Sequence, residues 1–384
     1  MMPAPHPPHS VVTPAMPPPF RPPSDRDAAA IAMERSPRMT ERAVTDAVAG
    51  RVVWSPVKSL WITAMALGAV MGGPLFVTPG AVLLFLATTA VTICLGHSLG
   101  MHRRLIHRAY ACPQWLEHLF VYLGTLVGMA GPSGMIRQHD IRDWAQRKPA
   151  CHAFLAHRNP IWRDGWWQLH CELRLDHPPR LDIEPRVADD RFYRLLDRTF
   201  MLQQAPWALL FVAVGGLPWL IWGICVRVTL SLVGHWLVGY FAHNRGPRSW
   251  HIEGAGVQGY NVSYVSLLTM GESLHNNHHA FPGSARLAHE DGEIDPGWWV
   301  LVALARLGVV WDVRLPANLP PRAGLRRLQA PRVRSCDGVS GAAVDASIEI
   351  PKSGPSRHPG MTIPERGSVI PGHAAGVKGR TTSG

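Results

Sequence analysis

Charge is missing from the longest apolar stretches of this chain, and paired cysteine motifs are missing throughout. Between Lys58 and His97 no Asp, Glu, Lys or Arg occurs. That excludes the stretch from the surface of a water-soluble domain and leaves a buried or lipid-facing role. The six cysteines (Cys94, Cys112, Cys151, Cys171, Cys225 and Cys336) never form a CxxC pair. A thiolate zinc site and a disulfide frame are therefore not expected, and the thiols read as reduced bystanders. Acidic residues are scarce, 27 against 38 Lys and Arg, for a formal charge of +11. No basic patch interleaved with aromatics accompanies that charge, so nucleic acid is not an expected partner. From Met1 to Arg26 the chain is proline-rich and lacks a charged-then-apolar leader pattern, so the first apolar span is expected to direct insertion itself.

What is present is segregated: 47% apolar residues alternate with Arg-rich intervals. Residues 1–50 are rich in Pro, Ala and Arg and residues 316–384 in Arg, Pro, Gly and Ser; both are too poor in large apolar side chains to offset ordering entropy and read as disordered tails. Ala28 to Ala49 has the composition of a short surface helix. The working domain is expected at 51–315. Within it, Thr78-Pro79-Gly80 divides the uncharged stretch into two pieces of about the twenty residues that cross a bilayer. A second hairpin is expected from Ala205 to Val226 and from Val228 to Ala242, with Arg227 at its turn. The pattern predicts an all-α integral membrane protein: four transmembrane helices in two hairpins (about 58–78, 80–96, 205–226 and 228–242) under a cytosolic helical cap. Arg crowds the interval from His97 to Arg198 whereas the hairpin tips carry only Arg227. The positive-inside rule then puts that interval and both termini in the cytoplasm. Leu119 to Ile136 is uncharged too, but a crossing there would separate the histidines on either side. It is expected to be re-entrant or packed in protein, interrupted at Gly131-Pro132-Ser133-Gly134. Gly297 to Val310 reads as an interfacial helix.

Histidine is abundant, 20 residues, and gathers beside span ends. His97, His102 and His107 lie in HSLGMHRRLIHRAY, His139 in RQHDIRDWAQR, and His275, His278 and His279 in GESLHNNHHAF. Imidazole suits redox metals, and a dinuclear iron site fits the demand of oxygen chemistry. On an α-helix His275 and His278 share a face, while His279 turns about 100° away and could reach a second ion. His102 and His107 project about 140° apart, so they too could face different ions.

The order of two spans, HRRLIH, a polar region, two more spans and HNNHH resembles the membrane fatty acid desaturases, particularly the acyl-CoA delta-9 type, over about residues 57–312. The resemblance implies a cytosolic di-iron site, two Fe ions per chain, ligated by three histidine boxes and one further His after the fourth span. His102 and His107 match the first box, His275, His278 and His279 the third, and His243 in YFAHNRG the further ligand. The second box departs from the family's HxxHH: after His139 this chain has Arg142 and Asp143. A guanidinium keeps its proton and cannot ligate. Asp143 can, as a carboxylate ligand, or it can pair with Arg142 or orient a liganding imidazole.

Other candidates stay open. His97 is a ligand or a hydrogen-bonded residue at the span end. His235 is a ligand or a neutral imidazole bonded to a neighbouring helix; it stands about 12 Å along the helix from His243, too far to share an ion easily. Glu272, Asn277, Gln258, His152, His157, His170 and His177 are candidates to support ligands or meet a substrate head group. His358-Pro359-Gly360-Met361 lacks the end of a haem motif, so no fused electron carrier is expected. The resemblance implies removal of two hydrogens from adjacent methylenes of an acyl-CoA or lipid-linked chain, with O2 reduced to water. A separate donor, ferredoxin or cytochrome b5 with its reductase, would supply electrons. Trp61, Trp207, Trp219, Trp222 and Trp236 would line the spans, and Arg and Lys would hold an anionic carrier. A related lipid hydroxylase and a non-catalytic metal-binding relative use the same residues; a metal-ion transporter would need polar residues through the spans, where only His235 occurs.

Overall fold

The computed structural model describes residues 38–328, a mostly helical protein with three two-stranded antiparallel ribbons. The outer parts of both expected tails, Cys336 and the His358 string lie outside the described residues. Ordered structure reaches beyond 51–315 at both ends. Met39–Thr40 pairs with Arg180–Leu181, Gly50–Trp54 with Cys171–Leu175, and Trp250–Ile252 with Leu325–Arg327. In its described part, the surface helix expected over 28–49 is instead strand and turn. Arg38 explains the ordering: its guanidinium is buried and donates to the carbonyls of Leu105 (2.8 Å) and Ile106 (2.9 Å) while pairing with Glu184. Those carbonyls end a helix and would otherwise lack donors.

Two helices among the described residues are long and apolar enough to cross a membrane, Pro79–Ile106 and Gln204–Asn244. The first begins where Thr78 accepts from the Ala81 amide at 3.2 Å and Pro79 supplies a φ already suited to a helix. Before it, Pro56–Leu67 continues through a π-helical turn, Gly68–Gly72, and Gly73–Leu75. The second is not one rod. Gly216, at φ 65° and ψ −156°, breaks it in a conformation open to glycine, and Pro218 follows. The hairpin turn is therefore at Gly216, not at Arg227. Arg227 sits inside the unbroken limb, 2% exposed, and donates to the carbonyls of Gly223 (2.7 Å) and Leu126 (2.6 Å) and to Gln204. A guanidinium in an apolar bundle is satisfied there by carbonyls rather than by headgroups. Trp222 Nε1 donates to the Gly73 carbonyl (3.1 Å), and Trp219 Nε1 lies 3.4 Å from the place of a Cβ on Gly80. The two turns therefore share one end of the bundle.

At the other end, the uncharged stretch from Leu119 packs within protein. Gln114–Thr125 lies against the continuation of the first long helix, and Gly96 and Gly124 allow the approach: a Cβ on Gly96 would come within 2.3 Å of the Gly124 nitrogen. The chain breaks at Gly128 (φ 89°) and resumes as the helix Pro132–Gln146. Met101, Leu105, Val121, Ile136 and Tyr193 form a core between these segments. All five described cysteines are free.

Candidate metal centre

The inner end of the first long helix, Thr92–Ile106, is wound as a π-helix. His107 N donates to the His102 carbonyl at 3.0 Å, an i to i+5 bond. Residues five apart then share nearly one face. His102 and His107 consequently join a single group instead of facing two ions, the split that α-helical geometry would allow. His139, from Pro132–Gln146, and His278, from the short helix His275–Ala280, complete it: all four offer a ring nitrogen within 4.8 Å of the others. The third box also divides differently from expectation. His275 and His279, four apart and so on one face, gather with His243 into a second group within the same limit, and His278 is the one that turns to the first. His275 and His278 keep the groups adjacent, with ring centroids 5.4 Å apart.

The donors fit metal ions. Nε2 atoms lie 3.1 Å apart for His107 and His139, 3.1 Å for His243 and His275, and 3.0 Å for His275 and His279. Nitrogens bound at about 2.0–2.1 Å to one ion, at right angles, stand about 3 Å apart. Burial first, then neighbouring histidines, hold His107, His275, His278 and His279 well below the ordinary imidazole range, leaving neutral rings with lone pairs. On three of the rings the other nitrogen is held: His102 Nδ1 lies 2.5 Å from Glu272, His139 Nδ1 3.1 Å from Asp140, and His243 Nδ1 donates to the Gly239 carbonyl at 2.6 Å. Such contacts fix each tautomer and turn the other nitrogen inward. Burial opposes ionisation of Glu272, but His102 and Arg103 outweigh it and hold the carboxyl well below its usual range. Arg103, 1% exposed, also binds Asp295 (2.7 Å) and the carbonyls of Ala285 (2.7 Å) and Met270 (3.0 Å), tying the first box to the segment around the third.

Other sequence candidates belong to neither group. Asp143 is ion-paired with Arg147, one turn on, beside an open cavity. Arg142 donates to His157 and Gln168. His97 and His235 meet ring to ring, centroids 4.1 Å apart, and His235 bonds the Ser231 carbonyl. Asn277 reaches Leu287 and Glu293, bracing the loop after the third box. Gln258 bonds the Ile252 backbone, and His152 caps a four-residue helix. His157 pairs with Asp164, His170 contacts Ser59, and the His177 carbonyl accepts from Asp46. Sequence reasoning misses Asp140, adjacent to His139, and Gln146, two helical turns beyond it on the same face. That i, i+7 spacing is the signal that could have found Gln146.

The fatty acid desaturase family model matches residues 77–290, which contain both histidine groups. An acyl-CoA 5-desaturase of Anemone leveillei is 30% identical over 246 residues, 62% of this chain and 74% of its own. An sn-1 stearoyl-lipid 9-desaturase of Synechocystis is 33% identical over 234 residues, 59% of this chain and 69% of its own. Its counterpart in Anabaena variabilis is 33% identical over 232 residues, 59% and 80% of the two chains. With a matched region that holds all the gathered imidazoles, the chain belongs to the fatty acid desaturase family.

Proposed function

We propose that this protein introduces a double bond into the acyl chain of an acyl-CoA or acyl-lipid, using O2 and two iron ions held by the two histidine groups. The observation that carries the reading is the meeting of four imidazoles, those of His102 and His278 buried, beside three more, drawn from segments far apart in sequence. Each turnover takes one hydrogen from each of two adjacent methylenes, consumes one O2, two electrons and two protons, and releases two waters. A separate ferredoxin or cytochrome b5 system supplies the electrons. Bound iron would supply the redox capacity that activating O2 against an unreactive methylene requires.

The chain's own residues bind, orient and shield. His102, His107, His139 and His278 hold one ion, and His243, His275 and His279 hold the other. Glu272, Asp140 and the Gly239 carbonyl aim three of those rings. Beside His107 a cavity of about 500 Å³ is lined by five cations, Arg38, Arg108, Arg147, Lys148 and Arg314, against three carboxylates, Glu41, Asp140 and Asp143, and that excess of positive charge suits the phosphates of an anionic carrier. A second, apolar cavity of about 170 Å³, bordered by Val91, Leu123, Trp207 and Phe211, lies among the long helices and suits hydrocarbon. Four spans in two hairpins, with the site and both termini cytoplasmic, agree with hairpin turns at the end opposite the histidines and with Arg concentrated on the histidine side. Expression in a host without desaturases, with new double bonds located by mass spectrometry, tests the proposal. Hydroxylated chains, or no new product from an iron-loaded protein, would sink it.

A further inference from the structure

The second histidine group has three imidazoles where the first has four, and a fourth donor stands at its edge. Gln146, 2% exposed, ends the same helix that carries His139. Its Oε1 lies 3.1 Å from His243 Nε2, and its Nε2 donates to the Leu155 carbonyl at 2.8 Å. The Leu155 bond fixes the amide, because the flipped amide would press oxygen against oxygen. On His243, the single proton of a neutral ring is drawn to Nδ1 by the Gly239 carbonyl at 2.6 Å, so Nε2 presents a lone pair. Two acceptors therefore face each other at hydrogen-bond distance inside the protein. That arrangement is costly unless a cation lies between them. The spacing from Gln146 Oε1 through the Nε2 atoms of His243, His275 and His279 is 3.1, 3.1 and 3.0 Å, the edge length of one coordination shell.

We propose that Gln146 Oε1 is a ligand of the second metal ion, completing with His243, His275 and His279 a set that lacks imidazoles at Arg142 and Asp143. This rests on the proposed di-iron reading. The nearby alternatives are engaged elsewhere. His157 stacks on His243, ring centroids 5.3 Å apart, but its Nδ1 is bound to Asp164 and its Nε2 meets Arg142. Asp143 is bound to Arg147.

The test is iron per chain, with Mössbauer spectra, on the full-length protein in detergent, for the parent, Gln146→Leu and Gln146→Glu. The parent should hold about two irons. Gln146→Leu should fall to about one, and Gln146→Glu, which keeps an oxygen but loses the N–H that Leu155 accepts, should keep two with a changed spectrum. Two irons and an unchanged spectrum in Gln146→Leu would overturn the ligand assignment alone. Equal loss in both variants would also overturn it, showing that Gln146 acts by its bond to Leu155. A parent without two irons would overturn this assignment and the di-iron reading together.

Discussion

The first histidine group takes four imidazoles from three segments, whereas the second takes three from two. Their supports differ as well. In the first, two rings lean on carboxylates, Glu272 and Asp140, and Arg103 locks the surrounding segments together. In the second, His243 leans on the Gly239 carbonyl, a neutral partner. A carboxylate behind an imidazole makes it a more basic ligand. The first group should therefore grip its ion more tightly, and the second should be where metal is lost first.

The contrast is most exposed where the two groups adjoin. His278 belongs to the first group yet sits between His275 and His279 of the second, so His278→Ala should abolish product, measured as unsaturated acyl chains in the expression host. Retained product would remove His278 from the centre. Glu272→Gln is next. Losing the charge behind His102 should weaken metal affinity or activity by about 10- to 100-fold, read as iron retained against a graded chelator. If the second group's ion is still the first to leave in this variant, the carboxylate is not what separates the two.

Much of this centre is legible in the sequence, because histidine spacing survives any tertiary detail. His102, His107, His139, His243, His275, His278 and His279 are all apparent before the fold is known, and they do converge. How they are shared between the groups is not legible. A π-helix over Thr92–Ile106 rests on i to i+5 bonding and on the packing of Gly96 and Gly100 against Gln114–Thr125. No periodicity rule signals that winding, so α-helical arithmetic separates His102 from His107. Arg227 misleads for a related reason. A lone Arg between apolar runs reads as a turn, whereas this one is satisfied by the Gly223 carbonyl on its own helix and by the Leu126 carbonyl on a distant segment. The apolar helices themselves, and the membrane character they share with the family, are read directly from composition.

The π-helix gives a smaller, graded prediction. Gly96→Ala would put a methyl against the Leu123–Gly124 backbone, and overpacking of this kind costs about 1–3 kcal/mol. Its melting temperature should drop, and the first group, built on that helix, should lose more iron than the second. An unshifted melting curve would mean that the two helices part easily and that the winding does not depend on their contact.

The smallest effect is expected at Asp143, the position where the sequence most invites a ligand. Its carboxylate is bound to Arg147 in a partly exposed i, i+4 pair beside an open cavity, and such pairs contribute about 0–1 kcal/mol. Asp143→Ala should leave about two irons per chain and change activity by no more than about twofold. Loss of one iron would instead assign Asp143 to the second group. The two groups would then both be backed by carboxylate chemistry, and the difference in metal retention between them should shrink.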